Sequence, residues 1–364
     1  MSQLDLIAGL ITGAQTAEPI QVQFDLDIPS RVFSFLMENI SYWMVAVAMF
    51  GMTSNIFIIV TFAKMGFSES INISYCALCI SDILCVATFT WNAICFIPAF
   101  VDLDLPFLPS EVVVITGGAL SDTFSKTTAW ITAFISLERC LCVVFPLRVK
   151  DIVGHRRTIF IVVTIFVLTI LPLTSVTFYI SVFDNKLDLD RNRTLVGVRY
   201  RTSALANVLY DMNFVYKLVF MNTAPLFIVL VCSVSMAVQL SRSAFWRLQQ
   251  SGGAVSQDSG GESRAERKYL KDIRVAKTVL AIATCFIVLE TLGTIKVLVS
   301  TTWQDFRPVG AYSRTFKLVS RLAFLLSLTN SSVNFVIYYN MGSRFRHTVK
   351  QLVVFNRQKP PTKV

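Results

Sequence analysis

Seven continuous apolar runs, each about as long as the ~20 residues a helix needs to cross a bilayer, constrain this chain more than any other feature. By hydropathy they fall near 42–63, 72–97, 112–143, 157–182, 214–240, 276–300 and 319–340. A transmembrane barrel would need segments of roughly ten residues alternating in polarity, and these runs do not alternate. The fold class expected is therefore all-α, a seven-transmembrane helix bundle. The third and seventh runs hold many Ser, Thr and Asn, which predicts that they sit inside the bundle. Composition agrees: 54% of the 364 residues are hydrophobic and only 15% are charged, too few to coat a soluble globule. Disorder and coiled coils drop out. The net charge of +10 points to a membrane surface or a cytosolic partner, and no nucleic acid is expected.

The first 41 residues lack the basic, apolar and small-residue pattern of a cleaved leader, so the first span is expected to act as its own insertion signal. Lys and Arg are sparse in residues 1–41 and absent from the loop after the second span. They gather as Arg148, Lys150, Arg156 and Arg157 after the third span, as seven basic residues in the 241–275 loop with Lys277 just beyond it, and as six in the 341–364 tail. This predicts an extracellular amino-terminal tail, a cytosolic carboxyl terminus and a plasma-membrane location. Lys186, Arg191, Arg193, Arg199 and Arg201 are a basic exception on the outer side, offset by Asp184, Asp188 and Asp190. Residues 251–263 read as a Gly/Ser-rich linker within the cytosolic loop, and the basic stretch from Arg264 as an extension of the sixth helix. Phe345, Val349, Leu352 and Val353 recur at helical spacing among Arg344, Arg346 and Lys350, which suits a short amphipathic helix on membrane lipid. All eight cysteines fall within the spans, so no disulfide framework is read. Two sequons lie on the outer side, at Asn39 and Asn192, and Asn192 is the better glycosylation candidate because Asn39 abuts the first span.

A charge inside a span survives only with a partner, water or a task. Asp82, Asp122, Lys126, Glu290 and Lys296 stand out. Asp122 precedes Lys126 by four residues, the favourable order for a pair on one helix face, which could equally line a wet crevice or carry function. Lys296 is near the outer end of its helix and is expected to snorkel. Asp82 and Glu290 have no partner on their own helices. For Glu290 a protonated, hydrogen-bonded core residue competes with a counter-ion for a cationic ligand. Trp91, Ser121, Asp122, Ser125, Lys217 and Glu290 are the candidates for an outward ligand pocket.

At the inner end of the third span stands Ser136-Leu137-Glu138-Arg139-Cys140. Taken with Gly51-x-x-x-Asn55, Leu78-x-x-Ser81-Asp82, Pro225 and Asn334-Phe335-x-x-Tyr338, it resembles the rhodopsin-like G-protein-coupled receptors from about Tyr42 to Phe355. Through Glu138–Lys150 the chain looks most similar to molluscan chemosensory-type receptors. The resemblance implies an extracellular small-molecule or peptide ligand and a heterotrimeric G protein as partners. It implies that Glu138 holds Arg139 at rest, that Asp272 is the acidic partner of a resting lock, and that Asn334 and Tyr338 belong to the same G-protein switch. It matches Asn55, Asp82, Thr128, Asn330, Ser331 and Asn334 to a polar cluster that can hold a sodium ion; no other metal and no cofactor are expected.

The departures are specific. The cysteine that usually ties the third span to the following outer loop is missing, so that loop is expected to be mobile or ordered differently. Leu289-Glu290-Thr291-Leu292 replaces Cys-Trp-x-Pro in the sixth span, and Phe335 replaces the proline of the seventh, so both helices should run straighter. A transporter should show repeats and broken helices, and an enzyme an acid/base or metal constellation, yet the two histidines, His155 and His347, are both cytosolic. The resemblance therefore implies a non-enzymatic receptor of chemosensory type, with a neuropeptide receptor of the same fold as the alternative.

Overall fold

The computed structural model describes residues 27–67, 69–144, 154–188, 193–251, 264–307 and 310–357. Seven of its helices are long and apolar enough to cross a membrane, which makes the chain a multi-pass membrane protein. These are α1 (Ser30–Met65), α2 (Ser70–Ile94), α3 (Pro109–Val144), α4 (His155–Ile180), α5, α6 (Arg264–Thr302) and α7 (Ser313–Met341). The fifth, α5, consists of Ala204–Tyr216 and Ala224–Ser251 joined by the π turn Lys217–Thr223. An eighth helix, α8 (Ser343–Arg357), follows.

The helices overrun several expected limits. α1 begins at Ser30, so twelve residues assigned to the tail are helical, and α5 begins at Ala204, inside the expected loop. Residues 252–263 and Asn192 lie outside the described residues, as does the side chain of Asp272, although its backbone lies in α6. α6 and α7 each run unbroken, as the missing prolines predicted. The irregular turns are elsewhere. α3 contains a π turn at Val114–Ala119 around Gly117 and Gly118. In α5 the π turn precedes Pro225, whose ring would clash with the carbonyl of Met221 in a regular helix. The side chains of Asn222 and Thr223 donate to the carbonyls of Lys217 (2.8 Å) and Leu218 (2.9 Å), satisfying groups the turn leaves open.

Surface and interior are both apolar, as lipid requires. Trp43, Phe160, Leu171, Phe227 and Val288 are exposed around the bundle, whereas α2, α3 and α7 are the most buried helices. Without water to drive apolar association, close contact and hydrogen bonds must hold helices together. At Gly51 a β-carbon would collide with Ser332, so glycine lets α1 and α7 touch. Asn55 then reaches across to donate to the Ser331 carbonyl at 2.7 Å.

The loop after α4 is a hairpin, β1 (Ser181–Asp188) against β2 (Arg193–Tyr200), antiparallel with Ser181 opposite Tyr200. Glu111 in the first turn of α3 clamps it. Its carboxylate accepts from Lys186 (2.7 and 2.9 Å) and from the Val198 amide (2.8 Å). The Val196 strand also exchanges backbone hydrogen bonds with Pro106 and Leu108. The loop is thus ordered by a polar latch where a disulfide was missing. Two ion pairs, Arg199–Asp184 and Arg193–Asp104, absorb part of its basic excess.

Before α1, Asp27 caps α7. It accepts from the Arg314 and Thr315 amides and, at 2.6 Å, from the Thr315 hydroxyl. Desolvation pushes its carboxyl up, but the Thr315 hydroxyl and the surrounding backbone amides outweigh that and hold it below its ordinary value of 3.8.

Candidate functional site

A cavity of about 1220 Å³ opens at the amino-terminal face, between α1, α2, α3, α5, α6 and α7. Phe89, Phe214, Phe316 and Phe324 are among its walls, together with charged side chains from α3, α5, α6 and α7. Of the expected pocket residues, Asp122, Ser125, Lys217 and Glu290 line it. Trp91 and Ser121 do not: the Trp91 indole donates to Thr116 (2.9 Å) and meets Phe100 edge-on, while the Ser121 hydroxyl turns back to the Gly117 carbonyl (2.7 Å).

The charges are arranged differently from the sequence expectation. Asp122 pairs with Lys217 of α5, at 3.1 Å, rather than with Lys126 one turn along its own helix. The π turn beginning at Lys217 brings that side chain to α3. Lys126 and Lys296 both stand within electrostatic reach of the same carboxylate. The Lys296 ammonium lies 5.7 Å from the Phe316 ring centre and 5.8 Å from that of Phe324, at the cavity wall. Glu290 is half-buried and, among the described residues, forms no ion pair.

Arg321 was missed. It lies near the amino-terminal end of α7, 3% exposed, and its guanidinium donates to the side chain of Asn92 and to Ser41 (2.8 Å) while stacking 4.4 Å from the Phe96 ring centre. All these partners are neutral. The signal was available, because an arginine inside the 319–340 run is as costly in lipid as the five charges singled out.

Below the cavity the bundle is polar but uncharged except for Asp82, which is fully buried. Asp82 is not alone: it accepts from Thr128 of α3 at 3.0 Å and from Asn334 of α7 at 2.8 Å, with Ser331 in hydrogen-bonding reach. Ser125 and Ser327 join the same two helices just above, at 2.8 Å. Asn55 contributes through the Ser331 carbonyl, leaving its own side-chain oxygen buried and unsatisfied. Asn330 is buried nearby on α7 but does not bond Asp82.

At the carboxyl-terminal face, Glu138 is 1% exposed and pairs with Arg139 at 2.6 Å. Ser70 (2.7 Å) and Ser74 (3.3 Å) of α2 also donate to its carboxylate, fixing it from a second helix. Beside it Phe62, Tyr75, Tyr338 and Phe345 form an aromatic cluster, with Tyr75 and Tyr338 centred 4.8 Å apart. Phe345 and Val349 anchor α8 to this cluster. Among the described residues the buried hydroxyls of Tyr75, Tyr338 and Ser136 have no hydrogen-bond partner. Among the described residues no group of three or more His, Cys, Asp or Glu could hold a metal, and the eight cysteines are free.

Seven spanning helices, a cavity at one face and a paired Glu-Arg at the other define a seven-transmembrane receptor of the G-protein-coupled class. Residues 39–356 match the family described as serpentine type 7TM GPCR chemoreceptor Srw, and the chain belongs to that family. No curated protein matches the chain individually.

Proposed function

We infer that the chain is a plasma-membrane chemoreceptor whose amino terminus and cavity face outward and whose Glu138–Arg139 end meets a heterotrimeric G protein. The observation that carries this reading is the succession of contacts spaced along α3 and α7 from cavity to lock: Ser125–Ser327, then Thr128–Asp82–Asn334, then the Tyr338 cluster. A ligand that prefers one packing of these helices shifts the equilibrium between two arrangements. The partnerless hydroxyls of Tyr75 and Tyr338 and the neighbouring Glu138–Arg139 pair are the parts expected to change partners. The rhodopsin-like layout is supported by the same pair and by the Asp82 and Asn334 contact.

Asp272 is proposed as a second partner for Arg139, so Asp272→Ala should raise basal signalling; unchanged basal signalling removes that part of the reading. The carboxylate of Asp82, the hydroxyls of Thr128 and Ser331, and the Asn55 side-chain oxygen, which has no hydrogen-bond partner among the described residues, are the oxygen donors proposed for a sodium ion. A bound sodium ion would supply positive charge to the Asp82 carboxylate at rest. Asn39, on the outer turns of α1, and Asn192 remain the proposed glycosylation sites. Expressing the full chain with reporters for each G-protein class, against amino acids, organic acids, amines and peptides, tests the central claim. A ligand response that disappears in Arg139→Ala supports it, and ligand binding without coupling to any class overturns it.

A further inference from the structure

The cavity's charge specifies a ligand class. Lys126, Lys217 and Lys296 converge on a single carboxylate, Asp122, and only Lys217 is close enough to form an ion pair. Arg321 adds a buried guanidinium held entirely by neutral partners. Glu290 and Glu38 bring two more carboxylates and Arg201 and Lys317 two more cations, so six cations lining the cavity face three anions. In a site walled by phenylalanines and surrounded by lipid, such an excess is weakly screened and costly until a counter-charge arrives.

We propose that the cavity binds an organic anion, a carboxylate with an apolar or aromatic body, whose charged group is received by Lys126 and Lys296. These ammoniums line the cavity and form no ion pair among the described residues. Lys217 is committed to Asp122, and Arg321 is packed under Phe96, so Arg321 contributes its field rather than a direct contact. The aromatic walls receive the ligand body. This assignment rests on the receptor reading and replaces the counter-ion role of Glu290 for a cationic ligand.

The full chain in lipid nanodiscs, melted with 4-phenylbutyrate, 4-phenylbutanamide or 4-phenylbutylamine, separates the classes by charge at nearly constant shape. The acid should raise the melting midpoint where the amide and amine do not. Lys126→Gln and Lys296→Gln should each weaken half-saturation by the acid about tenfold or more, Lys296→Arg should retain it, and Glu290→Gln, which removes a like charge from the wall, should tighten it. The unliganded midpoint of each variant identifies any that are merely misfolded, and the arginine variant then carries the test. Stabilisation by the amine, equal effects of all three probes, or no effect of the acid overturns the proposal. Acid binding with no G-protein coupling would instead count against the receptor mechanism and leave the ligand class standing.

Discussion

Around the cavity six cations face three carboxylates, whereas at the opposite end Glu138 and Arg139 neutralise each other and two serines fasten Glu138. The first half carries unspent charge around a cavity of about 1220 Å³; the second pairs its buried charges beside an aromatic cluster and a smaller cavity of about 260 Å³, and holds hydroxyls with no hydrogen-bond partner among the described residues. One end is thus incomplete without a guest, and the other without a different arrangement of itself. Separating the deficits this way lets the first be met by a ligand and the second by movement.

The sharpest way to break the comparison is to unbalance the balanced end. Glu138→Ala leaves Arg139 uncompensated and should cost about 3–5 kcal/mol, read as a large fall in melting midpoint in nanodiscs. If it melts like the parent chain, the two ends do not differ as described. Phe62→Ala removes the ring shared by Tyr75, Tyr338 and Phe345 and should cost about 3 kcal/mol. At the seam joining the halves, Gly51→Ala forces α1 from Ser332 and should cost about 1–3 kcal/mol.

At the open end the effects should be smaller. Asp27→Ala removes the cap of α7 at about 1 kcal/mol. Because the folded carboxyl lies below its ordinary value, its contribution is present above pH 3.8 and is lost as pH falls through the depressed value. A pH titration of the melting midpoint should therefore show an acid step that Asp27→Ala abolishes. Smallest is Glu111→Gln. Both charges of that latch are partly exposed, so about 0.5–1 kcal/mol is expected, seen as faster hydrogen exchange at Val196 and Val198. The hairpin should loosen with salt and ignore reductants.

The spans were legible because a 20-residue apolar run has few alternative fates, and the Asp82 and Glu138–Arg139 positions because their neighbours in sequence mark them. The Asp122 partner was not. Spacing by four residues favoured Lys126, but a π turn in another helix delivered Lys217, and periodicity along one helix carries no information about that. Trp91 and Ser121 failed for a similar reason: each is satisfied locally, by Thr116 and by the Gly117 carbonyl, and so faces away from the cavity. The hairpin depended on Glu111, a residue that reads as an ordinary helix-start acid until its partners are seen.

The π turns of α3 and α5 also have a bearing on how such a chain can diversify. Each holds one residue more than a regular helix would, and a helix advances about 100° per residue. Deleting a single residue within Lys217–Thr223 would turn Ala204–Tyr216 by roughly that angle while Ala224–Ser251 kept its seat. A one-codon change could thus present a new set of side chains to the cavity without disturbing the machinery beneath, so the same inner half could inherit many different outer ones.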